Sequence, residues 1–168
     1  MWGQGVSSAN GTISFYYGNA GNATTGTSGG DVWRLTPHPA DPVNGQPVNS
    51  TYARIATGQG ETPAGGNAAT ATGPVHARIV YRGDPLQSPE NVVIDPANGN
   101  LLVASANNNR LVEITRCGKV VASVNLARHQ PAGALFGLAI GTNAAGRLVL
   151  YYGNSDSNTL HELVLRAR

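Results

Sequence analysis

Glu90, Asn91 and Asp95 bracket a short apolar run, Val-Val-Ile, in the most strand-like stretch of the chain. Carboxylates and amides are the oxygen donors that calcium and other hard cations select. Glu90 and Asn91 open this stretch and Asp95 closes it, so a shared ion needs further ligands from other segments. Plainer chemistry also accounts for them. Glu90 can be a solvated loop residue, and Asp95 can cap the Pro-Ala-Asn-Gly turn that follows it. The expectation is no resident cofactor, with calcium as the runner-up and these three residues as its candidate ligands.

The other reactive side chains are dispersed. His38, His76, His129 and His161 form no pair at metal-ligand spacing. Cys117 is the single cysteine, so no intrachain disulfide can form, and its near neighbours in sequence supply no histidine to activate a thiol. There is no Gly-x-Ser-x-Gly elbow, and Gly58-Gln-Gly60 lacks the third glycine of a nucleotide loop. Two tyrosine pairs remain, Tyr16-Tyr17 and Tyr151-Tyr152. Neighbours in a strand point to opposite faces. One of each pair should pack between sheets, and the other should face an adjoining sheet or an opening. Tyr17, Tyr152 and the adjacent Asn154 are therefore the candidate binding residues, as an aromatic platform for a sugar or peptide. Core packing with a satisfied hydroxyl is the simpler account.

These tyrosines belong to a repeat. Residues 11–19 read Gly-Thr-Ile-Ser-Phe-Tyr-Tyr-Gly-Asn, and 146–154 read Gly-Arg-Leu-Val-Leu-Tyr-Tyr-Gly-Asn. A weaker copy, Gly-Asn-Leu-Leu-Val-Ala-Ser-Ala-Asn, occupies 99–107. The opening glycines lie 88 and 47 positions apart. These spacings approach multiples of about 45, and a repeat of about 40–50 residues made of short strands marks a β-propeller.

Residues 88–126 read as one complete four-stranded blade. Its strands are 91–95, innermost; 101–105, apolar on both faces as between two sheets; 110–115; and 119–126, an alternating outer strand. Val120, Ala122, Val124 and Leu126 should share one face of that outer strand. Residues 132–168 read as a last blade without an outer strand. Residues 1–56 read as a disturbed first blade, and 57–87 as a Gly/Ala/Thr/Pro-rich loop with an outer strand. Both Tyr-Ala-Arg-Ile-Ala at 52–56 and His-Ala-Arg-Ile-Val at 76–80 have outer-strand character. The fold class is therefore all-β: propeller blades of four antiparallel strands in an incomplete ring.

Composition agrees. Charged residues make up 12% of the 168, while 40% are hydrophobic. The polar surface must come from Asn, Ser, Thr and Gly, as suits a turn-rich β protein. The eleven basic residues are scattered and the net charge is +2, which argues against nucleic acid as a partner. No apolar run approaches the roughly 20 residues of a membrane-spanning helix. Residues 1–5 lack the features of a signal peptide.

Ser88-Pro-Glu-Asn-Val-Val-Ile-Asp, Gly99-Asn-Leu-Leu-Val-Ala-Ser, Asn108-Asn-Arg-Leu and the Gly118 turn together resemble the NHL repeat, with Asn91 in place of a usual Gly and Ser105 in place of a usual Asp. Residues 133–165 resemble a looser copy. The resemblance implies a six-bladed ring, of which this chain would supply about half, and an extracytoplasmic setting. It also implies that some relatives of the fold use an axial metal for hydrolysis.

Three readings follow. One is a non-enzymatic binding or scaffold propeller for a protein or carbohydrate ligand. The second is a metal-assisted hydrolase or lyase. The third is a truncated product without activity of its own. Two or three blades alone expose broad apolar faces, so self-association or a missing partner segment is expected. If the chain instead closed on itself, residues 1–8 should lie beside Leu163 and Leu165.

Overall fold

A computed structural model describes residues 2–9, 12–19, 30–37 and 75–165. Eleven strands run in chain order: β1 (Trp2–Ala9), β2 (Thr12–Asn19), β3 (Asp31–Pro37), β4 (Val75–Arg82), β5 (Pro89–Ile94), β6 (Leu101–Ser105), β7 (Arg110–Ile114), β8 (Val120–Asn125), β9 (Leu135–Thr142), β10 (Leu148–Asn154) and β11 (Thr159–Val164). They form three antiparallel sheets, β1-β2-β3-β4, β5-β6-β7-β8 and β9-β10-β11. The only helical turn among the described residues is a short 3₁₀ segment at Ala106–Asn108. The protein is all-β, and its sheets have the form of neighbouring propeller blades that do not close a ring. β5 lies beside both β1 and β9, so the three first strands share the inner side of the row.

The repeat in the sequence is a repeat in space. The repeated phrases contain β2, β6 and β10, the second strand of each sheet. The equivalence extends to side-chain direction. Tyr16 packs toward the middle sheet, while in the middle sheet Ala104 packs toward the third.

β6 explains why the middle sheet holds the other two. All five of its residues are buried. Leu101 and Val103 join Tyr16, Val32, Leu86 and Val92 between the first and second sheets. Leu102 and Ala104 join Leu135, Leu138 and Leu150 between the second and third. A strand with period-two side chains and apolar groups at every position must be covered on both faces.

Residues 89–125 form the four-stranded sheet expected for 88–126, with β5 at one edge and β8 at the other. One detail is corrected. Val120 does not share a face with Ala122 and Val124. The register shifts between Glu113 and Ile114, which pair with Ala122 and Val120 respectively. This bulge turns Val120 toward the first sheet and leaves Ala122 and Val124 on the side of the third.

The first sheet also departs from expectation. β1 is a full strand antiparallel to β2. It does not lie along β11, so the chain does not close on itself in the way considered above. The strand character read at 76–80 is β4, paired with β3. The same character at 52–56 lies outside the described residues. Asp31 and Arg82, opposite each other on β3 and β4, form a two-pronged ion pair at 2.5 and 2.8 Å. The hydrogen bond and charge of Asp31 raise the Arg82 guanidinium above its ordinary pKa.

Candidate functional site

Each first strand carries one extra residue near its start, opposite the end of the second strand. The register shifts between Trp2 and Gly5 against β2, between Pro89 and Asn91 against β6, and between Leu135 and Leu138 against β10. A bulge bends its strand and re-aims a side chain, and such bulges gather at rims and beside sites. Here three lie at equivalent places on one rim. Glu90 is the extra residue of the middle sheet, and Phe136 and Gly137 fall in the bulge of the third.

The loops at this rim interlock. Ser105 Oγ donates to the Gln87 carbonyl at 3.0 Å and accepts from the Gln87 amide at 2.7 Å. Asn108 Nδ2 donates to the Pro85 carbonyl at 2.8 Å. Asn109, buried and left-handed at φ 54°, grips the connection that follows. Its Nδ2 donates to the Pro131 carbonyl at 2.7 Å and to the Gln130 carbonyl at 3.2 Å. Its Oδ1 accepts from the amides of Ala134 and Leu135 at 3.0 and 3.2 Å. The turn at 105–109 thus ties down the connections into both β5 and β9.

The rim gathers most of the sequence candidates and separates one. Tyr17, Tyr152, Asn154, Glu90 and Asn91 stand at the ends of β2 and β10 or at the start of β5. A β-carbon built on Gly18 would lie 2.5 Å from the Pro89 carbonyl oxygen, so the end of β2 lies directly against the start of β5. Asp95 lies at the far end of β5, and its Oδ1 accepts from the Ala97 amide at 2.9 Å. That is the turn cap that its sequence context allowed, and it keeps Asp95 out of any set with Glu90.

The aromatic candidates stack on strand neighbours, Tyr17 buried and Tyr152 half-buried. Tyr17 is 2% exposed and stacks on Trp33 across the strand pair, with ring centroids 6.3 Å apart and planes 9° off parallel. Tyr152 holds the equivalent place and stacks on His161 at 4.9 Å and 12°. Asn154 is buried, and its Oδ1 accepts from the amides of Asp156 and Ser157, both at 3.1 Å. These groups brace the rim. Among the described residues, the most exposed aromatic ring at this rim is Phe136, 42% exposed. Sequence reasoning passed over it, although an aromatic beside glycine at the start of a strand was a usable sign of a bulge.

Glu90 differs from its neighbours. It is 9% exposed, its Oε1 accepts from Ser88 Oγ at 3.1 Å, and its Oε2 is buried without a hydrogen-bond partner among the described residues. A buried carboxylate oxygen without a donor is costly, so it marks a place where a cation would be welcome. Among the described residues, however, no three His, Cys, Asp or Glu side chains cluster as a metal site. No described helix is long and apolar enough to cross a membrane. Compared with known proteins, the chain matches no family model and no curated sequence, so its functional reading rests on this rim alone.

Proposed function

We propose that the protein is a non-enzymatic binding propeller of the NHL-like kind, whose ligand face is the bulged rim. The observation that carries this reading is the recurrence of one bulge at the same end of three successive first strands. The connections into β5 and β9 are fixed by internal hydrogen bonds, so this part of the rim is held in shape before a ligand arrives, and such preorganisation lowers the cost of binding. Phe136 is the anchor, suited to a sugar face or an extended peptide. Arrays of glycans and peptides provide the probe. Phe136→Ser should weaken any binder roughly tenfold or more, as loss of an aromatic anchor does. Lys119→Ala, in the turn at the opposite end of the middle sheet, should leave binding unchanged. Binding indifferent to Phe136, or no binder at all, overturns the reading.

Glu90 Oε2 supports a second reading, the metal-assisted hydrolase or lyase. Calorimetric titration with calcium and zinc is expected to show no site tighter than about micromolar, because a dedicated cage needs about six or more oxygen ligands. A tighter site that disappears in Glu90→Gln would put the hydrolase reading first.

A further inference from the structure

Toward their outer strands the middle and third sheets part, and a cleft of about 530 Å³ lies between them, the size of an ordinary small-molecule site. Two features of β8 open it. Its bulge turns Val120 toward the first sheet. Ala122, which stays on the cleft side, is too small to take that place.

The lining is apolar with an acidic end. Leu102, Leu111 and Val124 face the cleft from the middle sheet, and Leu163 and Leu165 from the third. Glu113 stands among the first group, because strand pairing sets it opposite Leu102 on one side and Ala122 on the other. Residues opposite each other across a strand pair share a face, so this carboxylate rises directly from the apolar wall. Asn98 and Asn100 donate through Nδ2 to Glu113 Oε1 at 3.2 and 2.6 Å, which holds the carboxylate in place. Asp95 lines the same end from the turn after β5. It is 6% exposed, and among the described residues its side chain accepts only the Ala97 amide, on Oδ1.

The two charged groups of the lining are thus both acidic, and neither has an ion-pair partner among the described residues. Arg116, close in sequence, does not line the cleft and donates to the Gly99 carbonyl at 2.8 Å. Carboxylates drawn out of water against hydrocarbon call for a cation.

We propose that the cleft binds a small organic cation, a primary ammonium group carried on an apolar body. The ammonium donates to Asp95 and Glu113, and the body lies between Leu102, Leu111 and Leu163. A bare metal ion would use half of this lining: a hard cation takes about six or more oxygen ligands, and among the described residues no three acidic, His or Cys side chains gather. A peptide strand added to β11 would lie along the third sheet, whereas both carboxylates belong to the middle one. The cleft is also separate from the bulged rim, since Asp95 follows the far end of β5.

The experiment titrates the full chain with phenylbutylamine and with phenylbutanol, its neutral counterpart of similar shape. The amine should bind with a dissociation constant below about 1 mM, and the alcohol roughly tenfold more weakly, for want of the charge-assisted hydrogen bonds. NMR should show the Ala122 and Leu111 methyl signals moving with the amine. Glu113→Gln keeps the shape and an acceptor for Asn98 and Asn100, and should erase the preference for amine over alcohol. Ala122→Leu should weaken both ligands by filling the cleft. The amine–alcohol contrast is read on the native chain, so it stands whether or not a variant folds. Equal affinity for the two, no amine binding by about 10 mM, or shifts confined to other regions each overturn the proposal. So does calcium binding more tightly than the amine, which would make the site inorganic. An alternating Lys-Leu peptide that bound while the amine did not would overturn it too, and would assign the cleft to a protein strand.

Discussion

Asn109→Ala is expected to lower the unfolding free energy by about 3–5 kcal/mol, read as a drop in the urea midpoint without a change in slope. Truncation leaves the Ala134 and Leu135 amides without their acceptor and removes the donor from the Gln130 and Pro131 carbonyls. Each orphaned buried group costs about 1–3 kcal/mol, reduced where water can enter. Alanine also fits the left-handed backbone at this position less well than asparagine. The loss is large beside the roughly 5–15 kcal/mol that holds a domain together. The connection 127–134 should open first, so limited proteolysis should cut it before any sheet. Cleavage elsewhere, or a cost below about 1 kcal/mol, would show that the grip is incidental.

Gly118→Ala is expected to cost about 3 kcal/mol, through two causes that add. Gly118 has φ 86°, where a β-carbon is strained by about 1–2 kcal/mol. That β-carbon would also overlap the Val80 carbonyl oxygen of β4, and backbone cannot swing aside as a side chain can. The turn between β7 and β8 is where the middle sheet touches the outer strand of the first. The damage should therefore appear as lost protection of β4 amides in hydrogen exchange as well as a lower midpoint. Gly133→Ala is the control. Its φ is 93°, but open space surrounds its missing β-carbon, so it should show the backbone cost alone.

The sequence disclosed the second strands best, because their apolar runs end in the same Tyr-Tyr-Gly-Asn phrase or a worn copy of it. It disclosed the two-faced burial of 101–105 for the same reason: five consecutive apolar or small residues leave no face for water. β1 was not legible. Residues 2–9 include two glycines, a glutamine and two serines, a poor strand by propensity, and pairing with β2 overrides that weakness. The turned Val120 was not legible either, because a bulge is set by the pairing partner and not by alternation within one strand. At the rim, the capping role of Asp95 followed from the proline turn beside it. The grip of Asn109 did not, since its partners lie 18 to 26 residues away and are mostly backbone groups of a loop.

The connections between sheets are fastened by Ser105, Asn108, Asn109 and Ser155, all of them uncharged. Dissolved salt screens attraction between charges beyond about 8 Å at physiological ionic strength, but it has little hold on an amide bonded to a carbonyl. These joints also do not titrate. They keep their strength from dilute buffer to brine, and across the pH range where carboxylates and imidazoles change charge. Their weakness is slow covalent ageing. Hydrolysis of the Asn109 amide to an acid would aim a carboxylate at the carbonyl oxygens that the nitrogen now holds, and the fastening between two sheets would become a repulsion.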